Sequence, residues 1–163
     1  MKTYIATTIL ALGLATPVLA TQDLVPFAQV GDWSVLVDPN RGNGCMAQVA
    51  LSDGSTLRMG FDKPGSGKGY VASFNPFWTQ FEKGKDYDVS IAFADTSFVG
   101  KGRGEELAGM PGVVAEVNNL DLLSEMANAE SVNLSAGGPG VDIALKGSFD
   151  AIKSAIECQA LQQ

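Results

Sequence analysis

Chemistry in this chain has to start from its acids, because the 163 residues include no histidine. Asp86 with Asp88, and Glu105 with Glu106, form two close pairs. A glycoside hydrolase needs two carboxylates about 5–9 Å apart in a cleft, one of them held protonated. Asp86 and Asp88 at i, i+2 would share a strand face, yet beside Lys85 at a strand start they read equally as solvated acids. No catalytic residue is assigned on this basis. The missing histidine removes the Ser-His and Cys-His nucleophile arrangements and the commonest zinc ligand. A lysine base would call for Ser-x-x-Lys, and a hydrolase elbow for G-x-S-x-G; neither occurs. The alternating acids of an EF-hand loop are also missing, so the sequence predicts no metal and no cofactor.

Two glycine-rich runs carry cations. Gly65-Ser66-Gly67-Lys68-Gly69 fails as a phosphate loop, because Asp62 stands where the first glycine belongs and Gly69 replaces the hydroxyl. It reads as a flexible hairpin loop. In Gly100-Lys101-Gly102-Arg103-Gly104, backbone amides and two cations could nest an anion, or the run is an irregular strand exit with solvated charges. Lys68, Lys101 and Arg103 are therefore the candidate anion or loop contacts. The densest aromatic segment is Phe74-Asn75-Pro76-Phe77-Trp78-Thr79-Gln80-Phe81. Phe74, Phe77, Trp78 and Phe81 make a candidate binding patch if exposed, or a buried plug at the open end of a sandwich or barrel.

Charge narrows the partners. Eighteen acids against eleven bases give a net charge of -7 and a pI near 4.4, which argues against nucleic acid. Six bases, Lys63, Lys68, Lys83, Lys85, Lys101 and Arg103, fall in one central stretch. Residues 1–20 have the layout of a secretory signal: Lys2, an apolar run from Ile5 to Leu14, Pro17, and Val18-Leu19-Ala20 before the cleavage point. The expected mature chain is 21–163, one β-rich domain without a membrane span, periplasmic or secreted in a bacterium. In that compartment the only two cysteines, Cys45 and Cys158, read as one disulfide across 113 positions.

The elements that must position these residues are mostly short strands. Apolar alternation marks Asp32–Val37, Thr56–Phe61, with Leu57, Met59 and Phe61 on one face, and Tyr87–Phe93. Cys45–Leu51, Tyr70–Phe74, Gly112–Val117, Val132–Leu134 and Val141–Leu145 are further strand candidates, and Phe98-Val99 begins another. Thr21–Val30 reads as an irregular lead-in and Thr79–Lys83 as a helical turn. Asn119 is placed to cap a helix over 120–129, and Ser148 one from Phe149 to about Ala160. About eight or nine strands joined by glycine-rich turns predict an antiparallel β-sandwich or flattened barrel. One internal helix and a C-terminal helix tied by the disulfide complete it.

Four short segments carry a resemblance: Gly31-Asp32-Trp33-Ser34-Val35, Asp53-Gly54-Ser55-Thr56-Leu57, Asn75-Pro76-Phe77-Trp78, and Gly147-Ser148-x-x-Ala151 followed by Cys158. Together they resemble small exported proteobacterial proteins of unassigned role with a single disulfide. The early tryptophan strand and the late glycine-led segment are also similar to the invasion-associated locus B proteins. The resemblance implies no catalytic residues. The expected function is a non-enzymatic binding module acting through protein or cell-envelope contacts, with inhibition of a basic lytic enzyme as one version. The alternatives are a glycan-acting enzyme using the carboxylate pairs and a carrier of a small apolar ligand. The partner's identity and the oligomeric state stay open.

Overall fold

The computed structural model describes residues 22–162, so the segment read as an export signal lies outside the described residues. Strands form wherever alternate apolar side chains find a common face. The elements are β1 (Val25–Val30), β2 (Trp33–Asp38), β3 (Gly44–Ala50), β4 (Thr56–Phe61), β5 (Gly69–Phe74), β6 (Asp86–Phe93), β7 (Thr96–Leu107), β8 (Met110–Val117), α1 (Asp121–Ala127), β9 (Ser131–Ala136), β10 (Val141–Ala144) and α2 (Ser148–Leu161). The ten strands form one sheet of order β1-β2-β3-β4-β5-β8-β7-β6-β9-β10 with antiparallel pairings. It is not closed, since β1 and β10 end the order. The expected antiparallel β architecture with one internal and one C-terminal helix is thus built from a single sheet.

That sheet curls around one core. Trp33, Val35 and Val37, then Cys45, Ala47 and Val49, then Leu57 and Met59 point inward from β2, β3 and β4. Val89, Ile91 and Phe93 of β6 and Val113, Ala115 and Val117 of β8 join the same cluster, as does Ile143 of β10. Trp33 of β2, only 1% exposed, donates Nε1–H to the carbonyl of Lys146, in the link between β10 and α2, at 2.9 Å. Gly147 follows at φ +80, a left-handed conformation that favours glycine, and it lies against the indole. α2 packs on β1 to β4 and buries Ala151, Ile152, Ala155 and Cys158. Cys158 is bonded to Cys45 of β3 across a Cα–Cα distance of 6.0 Å. Next to it, Gln159 accepts the Cys45 N–H at 2.7 Å through Oε1 and donates Nε2–H to the Asp62 carbonyl at 2.9 Å. The helix is fastened by a covalent bond and by two polar contacts.

Several local expectations need correction. The lead-in contains strand β1, whose alternation is broken by a register shift between Pro26 and Ala28. Proline is tolerated there because β1 is an edge. β7 runs unbroken through the glycine-rich 100–104 run, where an irregular exit was expected. A methyl group on Gly102 would come within 2.5 Å of Val113 and 2.7 Å of Val89, and one on Gly104 within 2.1 Å of the Glu82 carbonyl. Those glycines serve close packing. No helix forms at 79–83, where the chain makes turns. Helix α1 is shorter than expected, although Asn119 does accept the Asp121 N–H at 3.0 Å. Ser148 does not cap α2; its buried hydroxyl reaches the carbonyls of Ala127 and Leu145 at 2.8 and 2.6 Å, tying α1 to α2.

The outer face of the central strands holds a smaller cluster of Met46, Tyr70, Ala72, Phe74 and Val114. Tyr70 donates to the Met46 sulfur at 3.0 Å, and the Arg41 guanidinium lies 4.0 Å over its ring. Burial pushes the Tyr70 phenol up to about 12, with Arg41 and Arg58 pulling the other way. Burial likewise lowers Arg58.

Candidate functional site: an aromatic turn over an apolar cavity

Because α2 covers only the β1–β4 half of the inner face, the other half needs a different lid. Val71 and Ser73 of β5, Val113 and Ala115 of β8, Val89 and Ile91 of β6, and Leu134 and Ala136 of β9 line a semi-enclosed cavity there. Its volume is about 120 Å³. The lid comes from two loops, Trp78, Gln80 and Phe81 after β5 and Gly138, Pro139 and Val141 around the start of β10. Small side chains at Ser73, Ala115 and Ala136 leave volume that larger residues would close.

The loop after β5 is rigid at its base. Asn75 is buried, and each of its polar groups is used: its N–H donates to the Pro111 carbonyl at 3.0 Å, Nδ2–H to Ser55 Oγ at 2.7 Å, and Oδ1 accepts the Phe77 N–H at 2.8 Å. Ser55 is held in turn by Asp53, which accepts both its N–H and its hydroxyl at 2.9 and 2.8 Å. An asparagine that folds back on the N–H two residues on is the local reason this Pro-containing segment turns. Farther along, Phe81 stacks edge-on between Trp78, with ring centroids 5.7 Å apart, and Tyr87, at 5.0 Å. The Tyr87 hydroxyl accepts the Glu82 N–H at 2.8 Å and donates to the Gln80 carbonyl at 3.1 Å. The lid is therefore pinned at both ends.

The four aromatics of the candidate patch divide. Phe74 is buried on the outer face, with Arg58 5.9 Å from its ring centroid. Trp78 and Phe81 are half-buried in the cavity wall. Phe77 is 80% exposed. The sequence marks Tyr87 only as a strand residue and gives Ser73 no distinguishing feature. Tyr87 was detectable as the inward tyrosine of an alternating strand close to the aromatic run. Ser73 had no local signal, since its setting is made by four separate strands.

The structure does not gather the charged candidates. Lys101 and Arg103 lie on the outer face of β7, paired across the ladder with Asp88 and, at 3.8 Å, with Asp86. The hydrogen bond to Asp88 raises the Lys101 pKa, and one to Glu82 raises that of Lys85. Lys68 sits elsewhere, in an open hollow with Lys63 and Arg41, where Arg41 is 3.0 Å from Asp62. The Gly100–Gly104 run lies within the β7 ladders, with Gly100–Arg103 paired to β6 and Gly102–Gly104 to β8. Asp86 and Asp88 share the β6 face but project into solvent, and Glu105 and Glu106 alternate across β7. None of the four lines the cavity. Among the described residues no cluster of three or more potential metal ligands occurs.

No family model matches the chain, and no curated protein does. A solved structure does. The crystal structure of invasion associated protein b from Bartonella henselae is similar to this chain with a TM-score of 0.55. The match covers 82% of this chain and 97% of that one, at 12% identity. At that identity the likeness is one of fold. It accords with the sequence resemblance, and the four resembling segments prove to be neighbours in space in two pairs: Ser55 bonds Asn75, and Trp33 lies on Gly147.

Proposed function

We propose that the protein is an exported, non-enzymatic binding module that engages a protein or cell-envelope component through the Asn75–Trp78 turn. Phe77 carries this reading: it is 80% exposed at a turn whose base is fixed by the buried Asn75. A preordered exposed aromatic offers a large apolar contact and loses little conformational freedom on binding, as recognition anchors do. The disulfide supports export to an oxidising compartment, periplasmic or extracellular. No helix among the described residues is long and apolar enough to cross a membrane.

Co-sedimentation with isolated bacterial envelopes tests the reading. Phe77→Ala is expected to weaken binding about 10- to 30-fold, with an unchanged Tm because the ring is so exposed. Equal binding by variant and wild type would refute it. The narrower version, an inhibitor of a basic lytic enzyme, draws on the net charge of -7, and undiminished lysozyme activity at low salt would remove it. A second reading, carriage of a small apolar ligand, is favoured by the cavity behind the turn. The carboxylate-pair enzyme has no comparable support, since its acids share no cleft with that cavity.

A further inference from the structure

The cavity contains a polar group that the fold leaves unused. Ser73 is 6% exposed, and its hydroxyl has no hydrogen-bond partner among the described residues. Its cross-strand neighbours on the two sides are Leu57 and Val113, both apolar. A buried hydroxyl in such a place has lost its water partners without replacement, and alanine would fill nearly the same space at no such cost. Among the described residues no charged side chain lines the cavity. A charged guest would therefore be desolvated without a counter-ion, so the guest must be neutral. Its size is limited too: about 120 Å³ is near the roughly 150 Å³ of an apolar cavity that accepts benzene.

We propose that this cavity binds a small neutral alcohol or phenol, about one ring in size, whose hydroxyl bonds Ser73 while its apolar body lies against Val89, Ile91 and Leu134. The inference rests on the second reading above, that the cavity is a ligand site, and it adds the chemical class. The guest enters beside Trp78 and Phe81, whose half-buried rings form the lid. Ser73 acts as a specificity residue: it distinguishes a hydroxyl from a methyl group at the inner end of the same ring.

Toluene and phenol are near isosteres that differ in that group, and calorimetric titration of both into the full disulfide-bonded protein provides the test. Wild type is expected to bind both. Ser73→Ala should weaken phenol about five- to tenfold and leave toluene within about twofold, since only phenol uses the hydroxyl. Its Tm should equal or exceed that of wild type; a lower Tm would make Ser73 a structural residue and overturn the proposal. Ala136→Leu, at a half-buried lining position, should abolish binding of both probes while the protein stays folded. If wild type binds neither probe, the cavity is not a ligand site and both readings fall. If both bind and Ser73→Ala affects them equally, the site stands and the hydroxyl specificity is overturned.

Discussion

Removing the disulfide by the paired change Cys45→Ser and Cys158→Ser is expected to cost about 3–4 kcal/mol of stability and lower Tm by about 10 °C. The bond closes a separation of 113 residues, a loop long enough that releasing it returns much freedom to the unfolded chain. The chain-entropy limit for such a loop is about 4–5 kcal/mol, and native contacts that survive should reduce the loss. Gln159 supplies two of them, to Cys45 N–H and to the Asp62 carbonyl, so α2 should stay docked in the folded variant. Both cysteines are fully buried, and replacing them by hydroxyls adds a small penalty of its own. Urea unfolding of the variant, and of wild type with and without reductant, measures the effect. A change under about 1 kcal/mol would mean that α2 is held by its packing and the Gln159 contacts, with little from the bond.

Trp33→Ala is expected to cost about 4–5 kcal/mol, the upper range for truncating a buried aromatic. The ring is among the largest fully buried side chains, and its Nε1–H ties β2 to the link between β10 and α2. Truncation leaves a void against Gly147 and deprives the Lys146 carbonyl of its donor. Trp33→Phe keeps much of the volume and loses the hydrogen bond, so it should cost about 1–3 kcal/mol. Because ordinary domains are stable by only about 5–15 kcal/mol, the alanine variant should be close to unfolding at physiological temperature. Denaturant titration of the two variants separates the contributions. Equal losses would place the effect in the hydrogen bond, and a negligible loss in both would contradict the role given to Trp33.

Much of this frame was legible in the residues. Tyr87, Val89, Ile91 and Phe93 alternate cleanly, and the last three all face the core. The two cysteines could be paired because there were only two. What sequence patterning missed has physical causes. β1 is a strand by virtue of its pairing with β2, and Pro26 and the register shift beside it erase the local period. Gly102 and Gly104 of β7 look like loop glycines, yet they are demanded by Val89, Val113 and the Glu82 carbonyl, which lie outside the run. Ser148 has a cap residue's identity, but Gly147 turns the chain so that its hydroxyl points to other carbonyls.

The candidate site was half legible. The aromatic run announced itself, but burial of Phe74, exposure of Phe77 and the wall positions of Trp78 and Phe81 depend on which sheet face each meets. The cavity has no local signature at all. It is missing volume shared by residues from Val71 to Val141, on strands whose order in the sheet departs from their order in the chain. Sequence patterning reports which side chains turn inward, and says nothing of how completely they fill the space.

Chemical-shift mapping by ¹⁵N NMR, with toluene titrated into the full disulfide-bonded protein, tests most directly whether the cavity under Trp78 and Phe81 is a binding site. Saturable shifts are expected at the amides of Ser73, Trp78, Phe81, Val89, Ile91, Ala115 and Leu134, with Lys68, Lys101 and Arg103 unmoved. No saturable shift, or shifts centred on the charged outer face of β6 and β7, would contradict the account.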